Sequence, residues 1–543
     1  MTEPRRIVLA GHGMVGARFA DDLLRRAEPG SVQVTVFGAE AYQPYNRVLL
    51  SEVVAGRADA TGLTLPAPDS PYLHARYGTP VRAVDRTARR VLAGGGWHPY
   101  DELVLATGAS PRIPPIPGLR TGLPRGAHVL RTLDDARELV AAAAVARSAT
   151  VVGGGVLGLE VACGLLRRGV PVTVLHHGPA PMDRQLDAQA GAVLTTALGR
   201  LGAQVLCRAS TTAVLTGAGH VQAVVAQVEG RQEHVPTDLL VLACGTTPET
   251  TLAAAAGLAV DRGVLVGADL TSRTDPRVHA IGDCAQPPEG ASGLVGQGWQ
   301  QASRLATRLA KPRPRGWLRV TPRRLASRRT HLGTGPTVPP GPTRSEEPVQ
   351  HGPAGAGPAA GSDVVRLKAA GLDVLTLGPA SPPARDGDRT VILSDPTAGR
   401  HLAATVRDGL LLAATCIGDP DVAADLTAGY TRRMPAPTDP VHLLVRPLAG
   451  GSSASDPAGL PPEATICVCS SVTKAQIVAS WRDGARDQEA VARATRATTG
   501  CGGCTSKVCD LLDWLGRSGA DSDGEKYDIR PKPPVHHAET AAE

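Results

Sequence analysis

Aromatic residues make up only 3% of this 543-residue chain, with two Phe, so its cores must be built from Ala, Val and Leu. The hydrophobic fraction of 42% is ample for that, and the length suggests three or four domains. No window reaches 18 uninterrupted apolar residues, so no membrane-spanning helix is expected. The N-terminal MTEPRRIVLAGHG runs directly into a strand, with no apolar stretch followed by a small-residue cleavage site, so no signal peptide is expected. The ten cysteines are not spread as a disulfide framework, and a cytosolic chain keeps its thiols reduced; the cytoplasm is the expected compartment. Acidic residues are missing from one stretch: residues 311–329 hold eight basic side chains and no acidic one, and without them the net charge falls from +6 to −2. This charge sits among prolines rather than on a folded face with aromatics nearby, which argues against a nucleic-acid partner. It reads as a solvated linker, with docking to an acidic protein as the sharper alternative.

Two glycine patterns are present. Arg6-Ile-Val-Leu-Ala-Gly11-His-Gly13-Met-Val-Gly16 leads into a helical run to Arg26 and the strand Val32-Gln-Val-Thr-Val-Phe37. Ala149-Thr-Val-Val-Gly153-Gly-Gly155-Val-Leu-Gly158-Leu-Glu160 leads into a helix to Arg168 and the strand Val170-Pro-Val-Thr-Val-Leu175. In such a turn the first glycine permits the bend, the second lets backbone approach a pyrophosphate and the third lets helix pack on strand. The helix N-terminus then meets the phosphate charge. One copy is a weak signal. Two copies, each between a strand and a helix, imply two dinucleotides, and the natural pair is a flavin and a nicotinamide. Leu103-Val-Leu-Ala-Thr107-Gly108 closes the first unit, and Leu240-Val-Leu-Ala-Cys-Gly245 echoes it at the end of the second. In His279-Ala-Ile-Gly282-Asp283 a strand ends at Gly-Asp, where Asp283 can accept a hydrogen bond from a ribityl hydroxyl of FAD. The nicotinamide domain is therefore inserted in the flavin domain.

Four of the cysteines fall into two tight pairs, Cys467-x-Cys469 and, 31 residues later, Cys501-Gly-Gly-Cys504. Thiolates are soft and suit zinc or iron–sulfur. A pair with a single intervening residue fits structural zinc poorly and suits a [2Fe–2S] cluster. Cys163, Cys207, Cys244, Cys284 and Cys416 have no partner at Cys-x-x-Cys or Cys-x4-Cys spacing, which argues against a redox dithiol beside the flavin. Cys509 reads as a packing residue.

The expected fold class is α/β: two dinucleotide-binding Rossmann-like domains, a small α/β C-terminal reductase domain and a small helical [2Fe–2S] module. The FAD domain is expected over 1–112 and 246–311, with the NAD(P) domain at 113–245. A disordered linker at 312–362, rich in Pro, Gly and Arg, precedes the small domain at 363–446. There Arg407-Asp-Gly409 is predicted to turn a hairpin, after which come a linker at 447–463, the module at 464–517 and a disordered tail at 518–543. Thr473 to Trp481 and Lys507 to Leu515 are predicted to be short helices of the module.

Residues 1–310 resemble pyridine-nucleotide flavoprotein reductases of the rubredoxin and ferredoxin reductase type. More narrowly, they resemble the flavin half of assimilatory nitrite reductase large subunits and the electron-transfer subunits of nitrate reductases. The segments that carry this are Val36-Phe-Gly-Ala-Glu40, Pro44-Tyr-Asn46-Arg47-Val-Leu-Leu-Ser51, Leu130-Arg131-Thr-Leu-Asp-Asp-Ala136 and Met182-Asp-Arg-Gln-Leu-Asp187. Residues 465–515 are similar to bacterioferritin-associated ferredoxin-type [2Fe–2S] domains. The resemblance implies an FAD site of Gly11, Gly13, Gly16, Glu40, Asn46, Arg47, Val81, Thr107, Gly108, Arg131 and Asp283. It implies an NAD(P) site of Gly153, Gly155, Gly158, Glu160, His176 and Gly245, and Glu160, just after the second glycine turn, is the best candidate for a contact near the nicotinamide. The cluster ligands would be Cys467, Cys469, Cys501 and Cys504.

There are departures from the pattern. Gly38 stands where an acidic residue usually holds the FAD ribose, leaving Glu40 as the substitute. His176 stands at the corresponding place in the inserted domain, where a carboxylate favours NADH and a basic group tolerates the 2′-phosphate of NADPH. His176, His177 and Arg184 leave that choice open. The chain ends at Glu543 without the further cysteine set of a sirohaem domain, so it is not expected to reduce nitrite by itself. The implied function is transfer of a hydride from NAD(P)H to FAD, then of single electrons to the cluster and on to a redox partner. That partner would be a nitrate reductase, a sirohaem nitrite reductase or a ferredoxin. No membrane partner is expected, and a homodimer is left open. Two other functions fit the motifs less well: a flavoprotein amine or amino-acid dehydrogenase subunit with a ferredoxin-like module, against which the second glycine turn speaks, and a redox-sensing binding protein.

Overall fold

The computed structural model describes residues 3–290, 293–311, 364–369, 371–380, 382–445, 460–467, 470, 472–500 and 503–517. The expected linker at 312–362 and tail at 518–543 lie outside them, as do Cys469 and Cys501. The chain divides into two compact units, residues 1–448 and 449–543.

The first unit holds two five-stranded parallel sheets. One has the order Val278–Ala280, Glu102–Leu105, Arg5–Ala10, Val32–Phe37, Leu73–Arg76. Its central strands Arg5–Ala10 and Glu102–Leu105 are largely apolar and buried because both faces are covered: Ile7, Leu9, Leu103 and, on the neighbouring strand, Val34 and Val36 are fully buried. The strand Val278–Ala280 returns to this sheet after the inserted segment. The second sheet has the order Ala203–Leu206, Val172–Leu175, Ala149–Val152, Leu239–Leu242, Ala127–His128. A short antiparallel ribbon, Ala109–Pro111 with Thr246–Pro248, marks where the chain passes between the two.

A five-stranded antiparallel sheet follows, with Val364–Ala369 at one edge and Arg389–Asp395 at the other, backed by the helix Pro420–Thr431. The hairpin predicted around Arg407-Asp-Gly forms: Arg407 pairs with Leu410, and Asp408 and Gly409 take φ of +51° and +71°. Two positive φ values in a two-residue loop match the twist of paired strands. Leu367, Ala369, Val374 and Ile417 of this sheet share one core with Leu159, Val161 and Leu165 of the helix that follows the second glycine turn.

The second unit pairs Thr465–Cys467 with Val472–Thr473 and adds the helices Lys474–Arg482, Gln488–Thr495 and Thr505–Arg517. Two of these match the predicted helices. Gln488–Thr495 was not predicted, because only Val491 and Ala492 of it are buried and no apolar stripe develops. Residues 460–463 were expected in the linker. Instead the Leu460 carbonyl accepts from Lys474 Nζ at 2.7 Å and the Pro462 carbonyl from the Ala475 amide at 2.8 Å, so the module starts earlier than the Pro/Gly/Ser composition suggests. Ile466, Ile477, Trp481, Val491, Val508 and Leu511 form its core.

Candidate active site

The first glycine turn leaves the strand Arg5–Ala10 at Gly11, whose φ of +109° only glycine adopts readily. A Cβ on Gly11 would overlap the Ala106 carbonyl, and one on Gly16 the Gly11 carbonyl. Gly13 differs: its Cβ would meet only Arg47, a guanidinium nitrogen 3.9 Å away. Gly13 also N-caps the helix Met14–Arg26 with no side-chain cap, so the first-turn amides face outward as donors. The expected FAD residues gather around this turn. Arg47 is ion-paired with Glu40 and donates to the Arg131 carbonyl at 2.9 Å. Tyr45, outside the expected set, donates to Glu40 at 2.6 Å and accepts from the Leu133 amide at 2.9 Å. Arg131 donates to Asp283 at 2.8 Å and to the Ala109 carbonyl at 2.9 Å, beside Gly108. Thr107 donates to the Glu249 carbonyl at 2.9 Å. Asn46 is buried and caps the turn Arg47–Leu49 by accepting from the Val48 amide. Val81 starts a separate antiparallel strand, reached through Gly78 and Thr79, whose amides donate to the Glu40 and Gly38 carbonyls.

The second turn repeats this construction. Gly153 has φ +117° and backs onto the Ala243 carbonyl, two residues before Gly245. A Cβ on Gly158 would overlap the Gly153 carbonyl, while one on Gly155 would meet nothing within 4 Å. Gly155 N-caps the helix Val156–Arg167, again without a side-chain cap. His176 is buried (4% exposed) directly after the strand Val172–Leu175. Its Nδ1 accepts from the Gly154 amide at 3.2 Å.

Glu160 is 5% exposed and sits where three distant segments meet. One carboxylate oxygen accepts from the Ser51 hydroxyl at 2.6 Å, the other from the Lys368 amide at 3.0 Å. The Lys368 ammonium lies 3.9 Å from it and donates to the Val48 carbonyl at 3.0 Å. Ser51, Lys368 and Tyr45 were not assigned roles from the sequence. Ser51 and Tyr45 lie inside the Tyr-Asn-Arg segment, which was a usable signal; Lys368 had none, lying 208 positions from its partner.

In the second unit Cys467 and Cys504 are buried. Cys504 Sγ accepts from the Thr498 amide at 3.3 Å, in a loop where Arg496 and Thr498 both have φ +68°.

Residues 5–304 match the family model described as pyridine nucleotide-disulphide oxidoreductase. The chain belongs to this family. Residues 465–514 match the BFD-like [2Fe-2S] binding domain. The nitrite reductase [NAD(P)H] large subunit of Klebsiella oxytoca is 32% identical over 95% of this chain and 49% of its own length. The assimilatory nitrate reductase electron transfer subunit of Bacillus subtilis is 30% identical over 95% of this chain and 60% of its own. This chain thus spans about half to three-fifths of these relatives. Among solved structures, the putidaredoxin reductase–putidaredoxin complex matches with a TM-score of 0.64 at 23% identity, over 81% of this chain and 96% of that one. That likeness concerns the fold alone.

The cofactors of this family member are FAD, NAD(P)H and a [2Fe–2S] cluster, and the residues fit them. At the flavin turn, His12 Nδ1 is buried with no hydrogen-bond partner among the described residues, next to an open Gly13 and an uncapped helix. Burial lowers the His12 pKa to about 4, so its ring is neutral. At the second turn, the space over Gly155 and a second uncapped helix suit a pyrophosphate. In the module, the Thr498 N–H is aimed at the Cys504 sulfur, the kind of hydrogen bond that cluster-ligating sulfurs accept.

No helix among the described residues is long and apolar enough to cross a membrane.

Proposed function

We propose that this chain is an NAD(P)H-dependent electron-transfer oxidoreductase. It passes electrons through FAD and a [2Fe–2S] cluster to a protein partner in the cytoplasm, an assimilatory nitrate or nitrite reductase. The observation that carries this is the pair of equivalent glycine turns, each open at its middle glycine and uncapped, in one chain with a module matching a [2Fe-2S] binding domain. Two turns call for two dinucleotides, and a cluster that takes single electrons calls for a flavin between it and a hydride donor. FAD supplies that conversion from two-electron to one-electron chemistry.

The protein's own part is to bind, orient and insulate. Gly11, Gly13 and Gly16 with Arg47 would hold the FAD pyrophosphate, and Glu40 its adenosine ribose. Arg131, Asp283, Thr107 and Gly108 would line the ribityl end, and Asn46 and Val81 the flanks. Gly153, Gly155, Gly158, His176 and Gly245 would hold NAD(P)H, with Glu160 near its nicotinamide. Glu160 is well fixed for this, since Ser51 and the Lys368 amide occupy both its oxygens. Cys467, Cys469, Cys501 and Cys504 would ligate the cluster. The domain limits follow the same scheme: FAD at 1–112 and 246–311, NAD(P) at 113–245, the antiparallel domain at 363–446 and the module to 517.

The test separates the two halves of the relay. Cys501→Ser should abolish the EPR signal of the reduced protein while flavin reduction by NAD(P)H continues at an unchanged rate. Stoichiometric zinc with no iron or acid-labile sulfide would refute the cluster, and failure of NAD(P)H to bleach the flavin would refute the donor.

A further inference from the structure

The strand that ends at Leu175 carries no carboxylate at the position facing a coenzyme ribose, yet a carboxylate reaches the same corner from the following loop. The His176 ring packs on Gly154, where a Cβ would come within 2.9 Å of its Cγ. Its Nδ1 accepts from the Gly154 amide at 3.2 Å and so carries no proton; its Nε2 faces Asp183 Oδ1 at 3.3 Å, a close contact outside hydrogen-bond geometry. The loop between them is tied to the glycine turn. The Met182 amide donates to the Gly154 carbonyl at 2.9 Å, and the Arg208 amide to the Gly178 carbonyl at 2.8 Å. Met182 takes φ +54°, which turns the chain so that Asp183 lies over Gly178. The Asp183 side chain remains 25% exposed, and its contact to His176 is long, so lone pairs are left for a further donor.

The charge at this corner is therefore settled by Asp183. Protonating His176 at Nδ1 would break its bond to Gly154, and burial already disfavours its cationic form. His177 stands at the rim with its ring edge-on to His176 at 5.0 Å. Arg184 and Arg208 are exposed, and the Arg208 guanidinium lies 3.8 Å from Glu229. A 2′-phosphate would meet a carboxylate here with no buried cation among the described residues to offset it, whereas a 2′-hydroxyl would find an acceptor.

We infer that this chain selects NADH over NADPH, with Asp183 as the specificity-determining carboxylate and His176 as the residue that positions it. The inference rests on the donor site proposed above, and its test uses two readouts so that the two can fail separately. Calorimetric binding of ADP-ribose and of its 2′-phosphate to the full-length flavoprotein reads the corner without any electron transfer. Tighter binding of ADP-ribose is expected. Asp183→Asn should weaken that binding about tenfold, the scale of one hydrogen bond to a charged group, and leave the 2′-phosphate unaffected or tighter. In turnover the same variant should raise KM for NADH with kcat unchanged. The double variant His176→Glu with Asp183→Ala returns the carboxylate to the strand end and should restore NADH preference, which guards against a mere folding defect. Preference for the 2′-phosphate in the wild type, removed by Arg184→Ala, would overturn the inference, as would an equal loss for both ligands in Asp183→Asn. If ADP-ribose binds as expected but NADH does not reduce the flavin, the electron-transfer reading falls and the selectivity stands.

Discussion

Glu160 shows what one buried carboxylate does when three segments share it. The position was legible, because it follows the second glycine turn by two residues. Its burial was not, because Ser51 lies 109 positions away and Lys368 lies 208. A carboxyl group at 5% exposure is tolerated only when its oxygens are well bonded, and here a hydroxyl, an amide and a nearby ammonium supply that. Glu160→Ala would strand the Ser51 hydroxyl and the Lys368 amide, at a cost of about 1–3 kcal/mol for each buried group left unpaired. A lowered Tm by calorimetry is the expected result. Glu160→Gln keeps one acceptor and one polar partner in the same volume and should recover part of that loss. Equal melting temperatures for the two variants would show that the bonding, as opposed to the packing, contributes nothing. The same logic explains Arg47: the Tyr-Asn-Arg segment pointed to it, but its pairing with Glu40 follows from the fold.

The two glycine turns are the elements read most fully in advance, since spacing alone specifies a tight bend, an open face and a close helix. The glycines nevertheless divide into two physical kinds. Gly11, Gly16, Gly153 and Gly158 have no room for a methyl group within the protein itself, while Gly13 and Gly155 do. Gly155→Ala should therefore leave the fold and Tm close to wild type and weaken nicotinamide-coenzyme binding by filling the space over the helix terminus. Gly158→Ala must push the helix Val156–Arg167 off its strand, so it should lower Tm and lose coenzyme binding together. Thermal melts beside coenzyme titration separate the two; a Gly155→Ala protein with normal affinity would argue that no pyrophosphate lies there. Less was legible where no strong period exists. The helix Gln488–Thr495 was missed for its thin apolar face, and residues 460–463 were assigned to a linker because Pro-Pro-Glu masks their backbone ties to the module.

At the scale of the whole molecule, the two units differ in what holds them together. Among the described residues the first owns four hydrophobic clusters, and none draws a residue from beyond Leu444. The second has one small core, and Cys467 and Cys504 are themselves members of it. A core of that size is marginal without a cross-link or metal, and in such modules metal binding and folding free energy are one quantity. On the proposed reading the cluster would be as much a staple as an electron carrier, and removing it should act on one unit only. Chelation of iron from the reduced protein should diminish the far-UV helix signal by the share of Lys474–Arg482, Gln488–Thr495 and Thr505–Arg517 and abolish the thermal transition of the second unit. The transition of the first unit, and the rate at which NADH bleaches the flavin, should stay where they were. A module that keeps its helices without iron would show that Ile466, Ile477, Val491, Val508 and Leu511 suffice as a core. Loss of flavin reduction together with the iron would show instead that the two units stand or fall as one.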